Sequence, residues 1–242
     1  MNDLSNEECD RYSLLLLDSH ALAITNNLRN LHVKNSKIDY ISTEGELEDI
    51  IIKNSSIGEV HSLSWTKQEG KFTNSHFEIV SNVRALFDLE ISNSEINRIT
   101  KEGIEISSQV VIQNTTIHIL EEGAFNVTKG DLILRDVTFD QVSSSAFNVE
   151  QTGRLQMINV AFGNGSSNII NMNETGSVNL KNVTFGGAEM EWTVSLGLKD
   201  LKSKTKKQSF IGHPSNIRST FIGILFGIAT CALVFGVVQI IR

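Results

Sequence analysis

The sequence predicts an all-β parallel solenoid over residues 14–198, then a basic linker over residues 199–218 and one C-terminal transmembrane α-helix over residues 219–241. Two observations lead to this prediction. A block of 17 to 23 residues recurs along the first segment, and apolar residues alternate in each block as they do in a strand with one buried face. The last segment is a run of 23 residues without a charged side chain.

One asparagine column marks the repeat. Asparagine tolerates the left-handed backbone of a tight corner, and stacked amides can bond to each other along a column. We therefore expect a structural asparagine ladder at one corner of about nine coils, each of 17–23 residues. The ladder consists of Asn35, Asn54, Asn74, Asn93, Asn114, Asp136, Asn159 and Asn182, and Asp18 fills the same position in a first coil.

Apolar residues occupy fixed places around this column. They lie two and four positions before each corner residue and three and six positions after it, and a third apolar patch follows, for example at residues 85–87 and 146–149. No single coil can bury such a face alone, whereas stacked coils share one core. Three short strands per coil are therefore expected.

The template reaches Leu14 and Leu16, so the first coil has no atypical segment before it. Solenoids usually need such a segment to cover the open strands of a terminal coil. We therefore expect the chain to begin mid-solenoid, with a signal peptide and a cap upstream.

Two blocks resemble coils of a known family. They are LILRDVTFDQVSSSAFNVEQTG at 132–153 and LQMINVAFGNGSSNIINMNETG at 155–176, and they are similar to repeats of right-handed parallel β-helix proteins of animal type, the pectate-lyase-like fold. The resemblance implies a right-handed coil over residues 14–195. Because that family includes lyases, hydrolases and carbohydrate-binding modules, it implies no activity. A leucine-rich repeat is the alternative architecture, since its period is similar.

The uncharged run Ser219–Ile241 exceeds the roughly 20 residues that a helix needs to cross a bilayer. Arg218 and Arg242 flank it, as basic residues do at membrane interfaces. Gly223 and Gly227 form a GxxxG pair that lets two helices approach closely, so this pair is a candidate dimer contact. The chain is therefore expected to span a membrane once.

Two features favour opposite orientations of this anchor. The lysine-rich linker places the solenoid in the cytosol by the positive-inside rule, as in a tail-anchored protein. Six N-x-[ST] sequons favour a solenoid outside the plasma membrane, and three of them lie outside the ladder, at Asn126, Asn164 and Asn173. We favour the outward orientation, with these three residues as candidate glycosylation acceptors, and keep the tail-anchored orientation as the alternative.

Charge argues against nucleic acid as a partner. The net charge is −7, and residues 199–242 carry six more basic than acidic side chains, so residues 1–198 carry −13. A domain this acidic repels phosphate backbones.

Catalytic chemistry has little support in the sequence. A polysaccharide hydrolase needs two carboxylates that converge on one face. Asp136 is expected at an interior corner and Asp140 at an outward position beside it, and the positions equivalent to Asp140 in the neighbouring coils hold no second acid. The histidines lack the spacing of a metal site, so neither a metal nor a cofactor is expected.

These observations favour a non-catalytic surface display or recognition module that binds a protein or a glycan. Two alternatives stay open. One is a membrane-tethered polysaccharide lyase or hydrolase, and the other is a tail-anchored scaffold that faces the cytosol.

Overall fold

The computed structural model describes residues 12–25, 28–43, 45–165, 168–172, 175–186 and 188–190. Over these residues the chain is an all-β parallel solenoid of about eight turns, without a helix. Nine corner residues from Asp18 to Asn182 delimit eight turns, which corrects the expected count of nine coils.

Each turn contains two or three strands. In the first five coils the strands before the corner are β1 (Tyr12–Leu17), β3 (Leu28–Lys34), β5 (Asp49–Lys53), β7 (Gly70–Thr73) and β9 (Leu89–Ser92). The strands after it are β2 (His20–Ile24), β4 (Lys37–Ser42), β6 (Ser56–Ser64), β8 (His76–Ala85) and β10 (Glu95–Ile99).

The later coils are built differently, because their strands run through the corner without a break. These strands are β12 (Gln109–Leu120), β14 (Asp131–Val142), β16 (Arg154–Gly165) and β18 (Ser177–Phe185). The short third strands are β11 (Ile104–Ile106), β13 (Phe125–Val127), β15 (Phe147–Val149) and β17 (Ile170–Met172), and β19 (Ala188–Met190) follows β18.

Strands pair in parallel with their counterparts one coil away. In β14 and β16, Leu132 lies opposite Leu155 and Phe139 lies opposite Phe162, as the aligned repeats predict. The exception is β19, which turns back and pairs with β18 antiparallel. The register confirms the predicted parallel solenoid, because each apolar position of one coil sits on the same position of the next.

The core is a continuous apolar column inside the coils. Leu89, Ile91 and Ile96 are buried, as the repeat predicts for the positions around a corner. Trp65 is also fully buried, and its Nε1–H donates to a backbone carbonyl at 3.3 Å. Phe87 is 43% exposed, which corrects its assignment to the third apolar patch. The inward residues therefore follow the repeat more closely than the residues of the irregular turns.

Phenylalanine side chains stack along the last coils. Ring centroids lie 5.0 Å apart between Phe139 and Phe162 and 4.6 Å apart between Phe162 and Phe185, with nearly parallel planes. Phe125 and Phe147 form a second stack at 5.3 Å, and the edge of Phe147 meets Phe139 at 5.8 Å. Both offset stacks and edge contacts are favourable aromatic arrangements. The aromatic column thus ties successive coils together.

A second left-handed corner lies eight or nine positions after the first, and sequence reasoning missed it. Its residues have φ between 49° and 65°, although they share no single residue type. They are Ser62, Asn82, Glu102, Gly123 and Ser145. Because only their backbone conformation repeats, no column of identical residues marks this corner.

Among the residues that the structure describes, no helix has the length and apolar surface needed to cross a bilayer. The expected helix Ser219–Ile241, its Gly223 and Gly227 pair and the linker over residues 199–218 lie outside the described residues.

Candidate functional site

The asparagine column forms one corner along the whole solenoid. All nine of its residues have left-handed backbone, with φ from 47° to 55°. Asparagine and aspartate are the non-glycine residues that adopt this conformation most readily. Their side chains are exposed, and this includes Asp136, whose expected interior position is therefore wrong. The cause is geometric, because a left-handed residue at a convex corner directs its Cβ away from the core.

Corner side chains bond from coil to coil in one direction. Six Nδ2 groups donate to the corner residue one coil earlier, over distances of 2.9 to 3.3 Å. The donors are Asn35, Asn54, Asn74, Asn114, Asn159 and Asn182. Asp136 accepts from Asn159 at 2.9 Å, but an ionised carboxylate has no hydrogen to donate to Asn114. The aspartate therefore divides the ladder.

We expect Asn54→Ala to lower the free energy of unfolding by about 2 kcal/mol. The change removes the bonds to Asn35 and from Asn74, and it places alanine at φ 50°, where non-glycine residues are strained. Asn54→Gly removes the same two bonds without the strain, so its loss is expected to be about half as large. Urea unfolding measures both, and Asn179→Ala at an exposed position is the control. Equal losses for alanine and glycine would contradict the backbone contribution.

A buried serine row runs beside the ladder. The residue after each corner residue is serine in the first five coils, and its Oγ donates to the carbonyl two residues earlier, as Ser36 does to Lys34 at 2.8 Å. The same oxygen accepts the backbone N–H of the preceding coil's serine, as Ser55 accepts from Ser36 at 3.1 Å. Four such N–H bonds link the row, which comprises Ser19, Ser36, Ser55, Ser75 and Ser94.

The serine row satisfies backbone groups that the interrupted strands leave unpaired. Sequence reasoning missed it, although the signal was visible: serine follows the column residue in five consecutive coils. Thr115, Val137, Val160 and Val183 take this place in the later coils, where the strands run through. Thr115 keeps the bond to the carbonyl two residues earlier, that of Gln113 at 2.9 Å, but its β-branch, like that of valine, favours extended strand.

A shallow groove of about 1190 Å³ follows the broken corners. We call it the asparagine groove. Each of the first five coils contributes its corner residue and the two residues after it, and Asn114 closes the far end. The lining residues are Asp18–His20, Asn35–Lys37, Asn54–Ser56, Asn74–His76, Asn93–Glu95 and Asn114.

One wall of the groove continues into a row of alternating histidines and carboxylates. His76 contacts Glu78 at 2.9 Å and Glu95 at 3.4 Å. His118 contacts Glu95 at 2.7 Å and Asp140 at 2.5 Å. We call these five residues the histidine–carboxylate row. Sequence reasoning missed it because the row joins two different positions of the repeat, two and four residues after the corner, so no single column marks it.

The row shifts the titration of its members. The hydrogen bond that His118 donates to Glu95, followed by the one that it donates to Asp140, raises the pKa of His118. The hydrogen bond from His118 lowers the pKa of Glu95, and the hydrogen bond from His76 lowers the pKa of Glu78. The contacts with Glu95 and Asp140 therefore favour the charged form of His118.

We expect His118→Gln to destabilise the protein below pH 6 and to have less effect as the pH rises. The folded pKa of His118 lies above its unfolded value of about 6.5, so its contribution is complete below that value and is lost as the pH rises through the folded pKa. Because the side chains are 35% to 51% exposed, the loss is expected to be about 1 kcal/mol or less.

Urea unfolding at pH 5.5 and pH 8.5 measures this difference. His61→Gln is the matched control, because the His61 ring contacts the Ser81 hydroxyl at 2.8 Å rather than a carboxylate. A His118→Gln effect that grows with pH would contradict the assigned charge.

The three candidate glycosylation acceptors differ in placement. Asn164 is exposed near the end of β16. Asn126 is half-buried, its Nδ2 donates to Gly123 and its Oδ1 accepts from Asn148 at 2.8 Å, so its amide belongs to a second, shorter amide stack. Asn173 lies outside the described residues.

No protein-family model, curated protein or solved structure matches this chain. In the described part of the chain, no group of three or more histidine, cysteine, aspartate or glutamate side chains is arranged to hold a metal ion. What the groove offers is a regular array of amides.

Proposed function

We propose that this chain is a non-catalytic recognition module that binds an extended, uncharged glycan along the asparagine groove. The observation that carries the proposal is the row of exposed corner amides in the groove, one in each coil from Asn35 to Asn114. An asparagine has two N–H donors and two carbonyl lone pairs, and the ladder uses at most one of each. A donor and an acceptor per coil thus stay available, which suits sugar hydroxyls because these both donate and accept.

The spacing of the amides favours a glycan over a peptide. Successive coils are separated by the distance between parallel strands, about 4.8 Å. An extended peptide advances only about 3.3–3.6 Å per residue, so its groups fall out of step with the coils. The advance per pyranose unit of an extended glycan is closer to the spacing between coils. The charges of the groove favour an uncharged ligand, because Asp18, Lys37 and Glu95 give the groove both signs of charge.

The titration of the nearby carboxylates supports binding over hydrolysis. A general acid in glycoside hydrolysis needs a raised carboxyl pKa. Glu78 and Glu95 have lowered pKa values, because histidine donors stabilise their charged forms. Asp140 contacts His118, and Asp136 accepts from Asn159 at another position of the corner, so these two aspartates belong to different contacts.

The cellular setting is part of the same proposal. The coil is right-handed and of the pectate-lyase-like class, the segment Ser219–Ile241 anchors it as a single-pass helix, and the solenoid lies outside the plasma membrane. The uncharged run and the sequons support this setting. Pairing through Gly223 and Gly227 would present two grooves per assembly.

A glycan array probed with the full-length chain tests the binding. We expect retention on linear neutral glycans and loss of retention for Ser56→Arg, which places a long cation in the groove. Thr138→Arg is the matched control, because Thr138 occupies the same position of a later coil beyond the groove. Equal retention by both variants would remove the groove as the site, and retention on peptides alone would replace the glycan.

Two further experiments address the alternatives. Turnover of a polysaccharide that is lost in Asp140→Asn would establish the lyase or hydrolase function. A glycosidase mobility shift that disappears in Asn164→Gln would establish the outward orientation, whereas an unshifted native protein would support the tail-anchored scaffold.

A further inference from the structure

The recess of the asparagine groove ends before the ladder does. Amide bonds of the corner continue to Asn159 and Asn182, yet neither residue lines the groove. The last corner that contributes all three lining positions is Asn93–Glu95, and the next one contributes Asn114 alone. Exposed amides are therefore not sufficient to form the recess.

The end of the recess coincides with a change in the residue after the corner. Ser94 is the last member of the serine row, and Thr115 occupies the equivalent place one coil later. Between these coils the strands change from broken, as in β9 and β10, to continuous, as in β12. Both hydroxyls donate to the carbonyl two residues earlier, Ser94 to Ser92 and Thr115 to Gln113. The row of N–H bonds between coils ends at Ser94, however, and the extra methyl group of threonine favours extended strand.

On the basis of the proposed function, we infer that the groove binds five units of a linear neutral glycan and that the change from Ser94 to Thr115 sets this number. Five broken corners at about 4.8 Å each give a recess of about 24 Å. The serine hydroxyls already donate and accept within the protein, so the corner amides and the side chains beside them are the groups that meet each unit.

The test is a length series. Linear β-1,3- and β-1,4-linked gluco-oligosaccharides of two to nine units are titrated into the full-length chain by calorimetry. We expect affinity to rise about threefold or more with each unit up to five and then to level off, because each occupied corner adds about one net hydrogen bond.

Two variants move the boundary in opposite directions. Thr115→Ser is expected to extend the rise to six units, and Ser94→Thr is expected to end it at four. Each change removes or adds a single methyl group, so we expect both variants to keep the wild-type fold, which circular dichroism checks. A shifted plateau in either variant alone supports the assigned boundary.

The outcomes separate this inference from the proposed function. Affinity that keeps rising beyond five units, or a plateau that neither variant moves, overturns the assigned length while glycan binding stands. Failure of every oligosaccharide and of the glycan array to bind overturns the proposed function and the inference with it.

Discussion

Phe139→Ala is expected to lower the free energy of unfolding by about 3–5 kcal/mol, the usual cost of removing a buried phenylalanine ring. Phe139 is fully buried, lies 5.0 Å from the ring of Phe162 and meets the edge of Phe147 at 5.8 Å. Neighbouring coils pair firmly on both sides of this ring, so the structure cannot collapse into the space. The loss is large compared with a typical domain stability of about 5–15 kcal/mol.

Phe87→Ala provides the matched control for this prediction. The same ring is deleted, but Phe87 is 43% exposed, so we expect a change within about 0.5 kcal/mol. Guanidinium unfolding of both variants measures the difference. Similar losses for the two phenylalanines would mean that burial does not distinguish them, which would contradict the core described above.

Residues that repeat in type made most of the fold predictable from sequence. The asparagine column aligned the coils, and its spacing placed Leu132 opposite Leu155 and Phe139 opposite Phe162, as the pairing shows. Side chains that face inward must fit one shared core, so their apolar character is constrained in every coil. Sequence and structure agree where that constraint acts.

Features on the outside were harder to predict, for identifiable reasons. The second corner repeats a backbone conformation rather than a residue type, since Ser62, Asn82 and Glu102 all adopt it. The histidine–carboxylate row joins Glu95 to His118 across different positions of neighbouring coils, and that contact depends on side-chain reach. Asp136 was placed inside because it replaces asparagine in the column, but at this corner the column faces solvent.

The end of the recess coincides with a minor sequence change, from Ser94 to Thr115. Serine after the corner residue adds no hydrophobic or charge signal, so a search for catalytic motifs passes over it. Its effect comes from the four backbone N–H groups that bind serine oxygens instead of continuing the strand ladder. The row of serine bonds and the full lining of the groove therefore end at the same coil.

Gly130→Ala is expected to destabilise the solenoid by about 3 kcal/mol or more, near the upper end of overpacking costs. Gly130 is buried at the turn before β14. An added Cβ would overlap the Ser108 carbonyl oxygen and lie 2.6 Å from the Ser108 carbonyl carbon and 2.7 Å from its nitrogen. All three are backbone atoms of the preceding coil, so no side-chain rotation relieves the overlap.

The displaced backbone also carries coil pairing. Asp131 N–H donates to the Ser108 carbonyl at 2.9 Å, and the Gly130 carbonyl accepts from Arg154 N–H at 2.9 Å, so pushing residue 130 outward weakens contacts to both neighbouring coils. Gly165→Ala is the matched control, because its Cβ would meet nothing closer than 3.6 Å, and we expect a change within about 0.5 kcal/mol. Thermal and urea unfolding compare the two. Strand pairing holds parallel coils at a fixed spacing. A tolerated alanine at position 130 would therefore require the coils that contain Ser108 and Gly130 to separate. That result would contradict the close stacking on which the shared core depends.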